Sequence, residues 1–438
     1  MYLHSVASKL FELVIKREPI AHLNQQKILS PSQHGFLEKH STCSNLLEAV
    51  TNWTRNTDKK TETLVAYVDF QKAFDKVCFP KLLHKRKHIG ITGKLLDCIS
   101  SFLYDRTQRV KVNNVLSDIV HLISGVPQGS VLGPILFIIY INDIVLNQPP
   151  HTISKLYADD LKCYNELTNI TDLKLFADTL DHINEWSLLW QLPVAAQKCQ
   201  IMRISNKNSS GNDPCQFRLG TYVLSETDKI EDLGLLFNSS LNFHQHIQSI
   251  CSKAKSQIFL LRKRFLSKDV KYLLLAYKTY ILPILNYCSP VWSPSTACDI
   301  LLLEKVQKSF TKKLLGYEEL SYKDRLCKSG LKSLELTRLH ADLIYCYKIL
   351  HKLVTIDNSI LFDFDAYCGP RSHGLSLRAP RPRTDLALHS FNYRVCSAWN
   401  NLSANTVWAP TLTAFKSSLF SEDLSCLLTL GADTFPSN

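Results

Sequence analysis

Leu156-Tyr157-Ala158-Asp159-Asp160-Leu161 sets two carboxylates side by side where the chain should reverse direction. Ile153-Ser154-Lys155-Leu156-Tyr157 leads in and Leu161-Lys162-Cys163-Tyr164 leads out, both rich in β-forming residues, so the stretch reads as a hairpin with the Asp pair at its tip. Like charges at a tight turn repel. A divalent cation shared with a third carboxylate relieves that repulsion, because hard oxygen donors suit Mg²⁺. A solvated Asp-Asp turn would need no ion, and the rest of the chain has to decide between the two.

A third carboxylate comes from an earlier stretch. Leu64-Val65-Ala66-Tyr67-Val68-Asp69-Phe70 is a near-continuous β-run that ends in Asp69, and Gln71-Lys72-Ala73-Phe74-Asp75-Lys76 then turns helical. An acid at the end of a buried strand is rigidly held and points into a crevice; the same residue could serve as a helix N-cap. If both strands share one sheet, Asp69 and Asp159 converge. Two divalent cations held there would activate an attacking hydroxyl and stabilise a leaving pyrophosphate.

Between these stretches lies Ser124-Gly125-Val126-Pro127-Gln128-Gly129-Ser130-Val131-Leu132-Gly133-Pro134. Its glycines allow close backbone approach to a ligand, and Ser130 can cap the apolar helix that follows to about Val145. A purely geometric connector would have the same composition. Arg109-Val110-Lys111-Val112 and Ile119-Val120-His121-Leu122 read as a β-pair around Asn113-Asn114 and Ser117.

Helices are expected over residues 5–23, 42–53, 80–88, 93–104 and 171–190, with Ser41 or Thr42 capping the second and Thr171 and Asp172 at the start of the last. A strand at Lys198 to Ile204, a polar loop from Ser205 to Pro214 and hairpin material over 217–236 complete this half. From His244 onward the pattern is helical, at about 244–265, 269–282, 298–315 and 336–352, with Pro283, Pro290 and Pro294 breaking the path between the second and third. Beyond residue 353 the chain reads as loop, with four arginines from Arg371 to Arg383, before a compact piece around Trp399 and Trp408. This order gives an α+β class, an antiparallel sheet with helices on one face.

Composition narrows the partner. The 438 residues are 45% hydrophobic and 21% charged, which suits folded domains with sizeable cores and excludes a disordered tail. The net charge of +12 is concentrated: residues 251–350 hold 18 Lys and Arg against 8 Asp and Glu. Lys253, Lys255, Arg262, Lys263, Arg264, Lys268 and Lys271 crowd one helix and its exit, with Phe259, Leu260 and Phe265 as its expected apolar face. Such a face suits a polyanion, although basic helix faces are often simply solvated. The 14 cysteines are never closer than ten positions, so no Cys-x-x-Cys zinc pattern exists and reduced thiols in an intracellular protein are expected. The longest apolar run, Val131 to Leu146, is interrupted by Asn142 and Asp143 and is too short to span a bilayer.

In order and spacing, Val68-Asp69-Phe70-Gln71-Lys72-Ala73-Phe74-Asp75, the Gly125–Pro134 stretch and Tyr157-Ala158-Asp159-Asp160 resemble the palm motifs of reverse transcriptases from non-LTR (LINE-type) retrotransposons of the jockey-like group. Lys198-Cys199, then Leu233-Gly234 with Leu241 to Ile247, resemble the next two blocks, and Ala398-Trp399-Asn400-Asn401-Leu402 is similar to the tail such proteins carry. The resemblance implies a right-hand polymerase: partial fingers over 1–60, palm over 61–240, a basic helical thumb over 241–352 and a loop-rich C-terminal tail over 353–438. It implies RNA-directed DNA synthesis with two Mg²⁺ ions, or Mn²⁺, on an RNA template with a DNA primer and dNTPs, and neither zinc nor a membrane.

Residue by residue, Asp69, Asp159 and Asp160 would be the catalytic metal ligands, joined by the Phe70 backbone carbonyl. Phe74 would exclude a 2′-hydroxyl, or else pack in the core. Gln128 and Gly129 would lie against nucleotide and template, Tyr157 near the primer end, and Lys198 near the pyrophosphate as an acid. Lys253, Lys255, Arg262, Lys263 and Arg264 would grip the duplex backbone. The chain opens inside the family's first fingers block, so an N-terminally truncated copy without its endonuclease is expected. Leu37 and His40 stand where the family has arginines, and Ala195 where it has Asn. A nucleic-acid-binding remnant without turnover and a helical interaction protein are the competing expectations.

Overall fold

The computed structural model describes residues 6–205, 216–364, 374–378 and 381–430. The polar loop expected after Ser205 and Arg371 lie outside the described residues. Chain contacts divide the protein into two compact units, Met1–Asn45 with Thr61–Asp228, and Leu46–Lys60 with Lys229–Asn438.

The first unit holds α1 (Val6–Gln25), the opening residues of α2 (Thr42–Asp58), β1 (Glu62–Val68), a 3-10 turn at Ala73–Lys76, α3 (Phe79–His88) and α4 (Gly93–Leu103). A ribbon follows, made of β2 (Thr107–Gln108), β3 (Lys111–Val112), β4 (Val115–Leu116) and β5 (Val120–His121). Then come α5 (Gly133–Ile141), β6 (Ile153–Tyr157), β7 (Asp160–Leu167), α6 (Ile170–Trp190), β8 (Gln200–Ile204), β9 (Arg218–Leu219), β10 (Tyr222–Val223) and β11 (Ser225–Glu226).

Five of these strands form one sheet in the order β11-β8-β1-β7-β6, antiparallel except where β11 runs parallel to β8. The β-branched and apolar run of β1 takes the centre, where Leu64, Val65 and Ala66 are fully buried. Leu64, Ala66 and Val68 share a core with Leu161 and Cys163 of β7, Phe137 and Ile138 of α5, and Phe176, Leu180 and Ile183 of α6. α5 is apolar all round, and its residues Ile135 to Ile141 are buried accordingly. The fold is α+β, as the sequence indicates.

Local chemistry moves three expected boundaries. The cap of α6 is Asn169, not Thr171: its side chain accepts from Asp172 N–H at 3.2 Å while Asp172 accepts from Asn169 N–H at 3.0 Å, a reciprocal capping box. The ribbon pairs Lys111 with Leu116 and Val112 with Val115, while Thr107 faces His121 and Gln108 faces Val120. Asn113 and Asn114, at φ +45° and +66°, form a two-residue primed turn that fixes the inner register, and Ser117 bridges to Val110 where the outer register shifts. At the Asp hairpin Tyr157 faces Asp160, so the turn residues are Ala158 and Asp159 and Asp160 already belongs to the strand.

The second unit begins, after its share of α2, with a hairpin of β12 (Lys229–Asp232) and β13 (Leu235–Asn238). Helices follow: α7 (His244–Arg264), α8 (Val270–Ala276), α9 (Leu282–Asn286), α10 (Ser289–Trp292), α11 (Ala297–Lys312), α12 (Tyr322–Ser329) and α13 (Leu334–Leu350). Pro283 does not end the expected 269–282 helix. A π-turn at Tyr277–Ile281 widens the backbone, and the proline falls in the first turn of α9, where no N–H is needed.

α7 buries His246, Ile247, Ile250, Cys251, Ala254 and Leu261, whereas Phe259, Leu260 and Phe265 are exposed, which reverses their expected role as the apolar face. The segment beyond residue 353 is also not loop-rich among its described residues. It carries α14 (Asn358–Leu361), α15 (Asp385–Leu388), α16 (Phe391–Asn400), α17 (Ala404–Val407) and α18 (Leu412–Leu419). Thr384, Ser403 and Thr411 cap three of these helices, most of them too short to show a helical period. Of these, α16 and α18 pack on α13, where Arg394 pairs with Asp342 at 2.8 Å and Tyr347 donates to Ala409 O at 2.6 Å. Among the described residues no helix is long and apolar enough to cross a membrane.

Candidate active site

Val68 facing Leu161 is the last rung between β1 and β7, so Asp69 and the Ala158-Asp159 turn leave the same end of the sheet. The chain past Asp69 is pinned. Ala195 N–H donates to Asp69 O at 2.8 Å, Gln71 N–H donates to Pro193 O at 2.9 Å, and Asp69 N–H reaches Cys199 Sγ at 3.4 Å. These bonds flank an antiparallel bridge of Phe70 with Val194 and leave the Phe70 carbonyl out of it. Burial pushes the Cys199 thiol up to about 11, so it serves this contact as a neutral group.

Asp159 is half-buried, and burial first, then the charge of Asp69, holds its carboxyl above the usual carboxylate range against the pull of a backbone hydrogen bond. The two acids therefore feel one another. Lys198 lies on Asp69, Nζ to Oδ2 at 3.3 Å, with the lysine side chain 74% exposed and the aspartate 40%. Asp160 is exposed at the start of β7, and among the described residues no three His, Cys, Asp or Glu side chains gather to hold an ion. Asp69 and Asp159 act on one another, and Asp160 follows directly at the start of β7. The pair still fits a hard cation: Mg²⁺ is commonly held by one or two carboxylates, with water and substrate phosphates completing its shell. Asp69, Asp159 and the Phe70 carbonyl would supply those oxygens.

The glycine-containing loop is sewn to the turn after Asp69. Gly125 N–H donates to Val77 O and Val126 N–H to Phe74 O, both at 2.8 Å, and Ser124 Oγ donates to Asp75 O at 3.0 Å. A Cβ on Gly125, whose φ is +90°, would stand 2.6 Å from Asp75 O. Gln128 Nε2 donates to Asp75 Oδ1 at 3.0 Å, which keeps Gln128 and Gly129 on the side of the Asp69 turn. Phe74 is half-buried, stacked on Phe137 at 4.3 Å and edge-on to Phe36 at 6.2 Å. Ser130 Oγ accepts from Gly133 N–H at 2.9 Å and so caps α5 as expected. Tyr157 is half-buried at the end of β6.

Two side chains outside the site residues expected from the sequence hold this apparatus. Glu12 of α1 is buried, and its Oε2 accepts from Val131 N–H at 2.7 Å and Leu132 N–H at 3.1 Å, directly behind the glycine loop. Gln33, fully buried, bonds to Ala158 in the hairpin turn. Each is more than a hundred residues from its partner, so no local pattern shows the contact. In the second unit Lys253, Lys255, Arg262, Lys263 and Arg264 are all exposed on α7, with Phe259 among them.

A family model described as "Reverse transcriptase (RNA-dependent DNA polymerase)" matches residues 3–273. The chain belongs to the reverse transcriptase family. It is 27% identical over 321 residues to the RNA-directed DNA polymerase from mobile element jockey of Drosophila funebris, covering 70% of this chain and 34% of that protein. It is also 27% identical over 303 residues to the probable RNA-directed DNA polymerase from transposon BS of Drosophila melanogaster, covering 66% and 33%. The chain thus spans about a third of the length of these curated relatives. Apo telomerase from Candida tropicalis aligns with a TM-score of 0.43 at 11% identity, over 93% of this chain and 60% of that one, a likeness too distant to carry an argument.

Proposed function

We propose that this reverse transcriptase chain is an RNA-directed DNA polymerase of non-LTR retrotransposon origin, adding deoxynucleotides to a primer 3′-hydroxyl on an RNA template. One observation carries the reading: Asp69 at the end of β1 and Asp159 in the β6–β7 turn lie close enough for one charge to act on the other, with neither side chain sealed from solvent. Divalent ions held by these two acids would lower the pKa of the primer hydroxyl and neutralise charge on the phosphates. Asp160 would add to the negative field beside them.

The other roles are those that the family resemblance implies. Lys198, on an exposed and flexible stem beside Asp69, is free to move to the leaving pyrophosphate and give it a proton. Phe74 would close the floor under the sugar, Gln128 and Gly129 would meet the incoming nucleotide and template, and Tyr157 would meet the primer end. The exposed cations of α7 would hold phosphates, contacts that position a duplex without reading its sequence. In the right-hand scheme the residues up to 60 would be fingers, 61–240 palm and 241–352 thumb, with the C-terminal helices supporting the thumb.

Primer extension on an RNA template, with Mg²⁺ or Mn²⁺, tests the reading. The intact chain should extend, and Asp159→Asn should lose at least about a thousandfold in rate while still binding primer-template. Leu37 and His40, where arginines would grip a triphosphate, favour a second reading of a chain that binds but does not polymerise. Salt-dependent binding by the intact chain with no extension under either metal would establish that one.

A further inference from the structure

Ala158, the first residue of the turn that carries Asp159, has φ +58°, a conformation that L-residues with a Cβ rarely adopt. Something must hold it there. The segment Ser32 to Gly35 lies along the free edge of β6: Leu156 N–H donates to Ser32 O at 2.9 Å and His34 N–H to Leu156 O at 2.8 Å, with Gln33 bridged in parallel to Leu156. From this position the Gln33 side chain reaches the turn. Its Oε1 accepts from Ala158 N–H at 3.0 Å and from Gly35 N–H at 2.7 Å, and its Nε2 donates to Ala158 O at 3.4 Å.

Gly35 completes the fit. Its φ is not in the left-handed range, so its backbone would accept a side chain; the neighbouring chain would not. A Cβ there would stand 2.3 Å from Ala158 N and 3.0 Å from the Tyr157 carbonyl carbon. Glycine is required at this point because two backbones touch.

We propose that Gln33, with Gly35 packed beneath the turn, is the positioning residue that fixes Ala158 in its left-handed conformation and thereby aims Asp159 at the ion it would share with Asp69. Only a carboxamide supplies, on one short arm, an acceptor for two N–H groups and a donor for a carbonyl. Asparagine is one methylene too short to reach from the same backbone. Because the bonds are buried, an apolar side chain of equal length would leave the amides of Ala158 and Gly35 without partners. The turn would relax toward an ordinary backbone, and the Asp159 carboxylate would swing from its place while the nucleotide side of the site stayed intact. This role rests on Asp159 acting as an ion ligand in the polymerase reading; the clamp itself does not.

The test uses the full chain with Gln33→Met, Gly35→Ala and, as a control that loosens the same unit elsewhere, Ile99→Ala in the core under α4. Amide hydrogen exchange, read without metal, should show Ala158 exchanging at least tenfold faster in Gln33→Met and Gly35→Ala, with the change confined to residues near the turn. In primer extension both variants should lose tenfold or more in kcat, with KM for dNTP within about twofold, and should need more Mg²⁺ for half-maximal rate. Ile99→Ala should lower the unfolding temperature without this split. Unchanged exchange at Ala158 overturns the clamp. A kcat loss in Gln33→Met no larger than that of Ile99→Ala at equal residual stability overturns the positioning role. If the intact chain fails to extend at all, the polymerase reading falls and with it Asp159 as the target, while the exchange result still decides whether Gln33 sets the turn.

Discussion

At the scale of single residues, Phe74 shows how one position can satisfy two demands. Its ring stacks on Phe137 and meets Phe36 edge-on, yet it remains half-buried on the turn five residues after Asp69, so part of it packs and part stays open to solvent. The two roles have separate signatures. Phe74→Val removes ring area from the stack and should cost about 1–3 kcal/mol in denaturant unfolding. If the ring also excludes a 2′-hydroxyl, the same variant should incorporate ribonucleotides at least tenfold better relative to deoxynucleotides, measured as a ratio of kcat/KM values. A stability loss with an unchanged ratio would make Phe74 a core residue alone. Asp69 and Asp159 are legible at this scale because strand and hairpin each announce themselves locally; Lys198 is marked by the family resemblance instead, and it lies in a 3-10 turn at Ala196–Lys198 ahead of β8 rather than on the strand expected from it. The contacts of Gln33 and Glu12 are not legible, because each is a hydrogen bond to a segment more than a hundred residues away.

Among elements, α1 and α5 illustrate a dependence that neither sequence displays. The first turn of a helix leaves backbone N–H groups unpaired, and α5 begins directly after the glycine loop, where its own residues supply only Ser130 as a cap. Glu12 of α1 meets the amides of Val131 and Leu132 with one carboxylate oxygen, so α1 secures both the helix and the loop before it. Glu12→Ala leaves two buried amides without acceptors and should cost about 2–3 kcal/mol, seen as a lower urea midpoint at unchanged slope. Glu12→Gln, which keeps an acceptor oxygen, should cost about half as much. If both variants unfold like the parent, α5 is capped without α1.

The same scale explains which elements can be read. The strands of the sheet and the long helices carry their period in the sequence, whereas the ribbon shifts register beyond Val110 and Ser117 and a π-turn carries the chain past Pro283. The apolar face of α7 defeats a reading by composition because Phe259, Leu260 and Phe265 are as hydrophobic as the residues it buries; only packing distinguishes them.

For the whole molecule the uneven charge is the governing quantity. The excess of cations in residues 251–350 accounts for most of the net charge, and on α7 Lys255, Arg262 and Lys263 border a shallow groove with Phe259, Ser309 and Lys313. Arg262 also donates to Lys313 O at 3.3 Å, which steadies one wall of the groove. A solvated helix face tolerates an exposed phenylalanine amid its lysines but gains nothing from it. A surface that follows a nucleic-acid backbone does, since a base can stack on the ring while phosphates meet the cations. Measured as log K against log salt, removing Lys255, Arg262 and Lys263 together should flatten the slope by about 2–3, near 0.9 for each phosphate that is no longer neutralised. Phe259→Ala should instead weaken binding to single-stranded RNA by about 1–3 kcal/mol at every salt concentration, with the slope unchanged. An unaltered slope in the triple variant would return this face to the solvent and leave the polyanion partner to be sought on another surface.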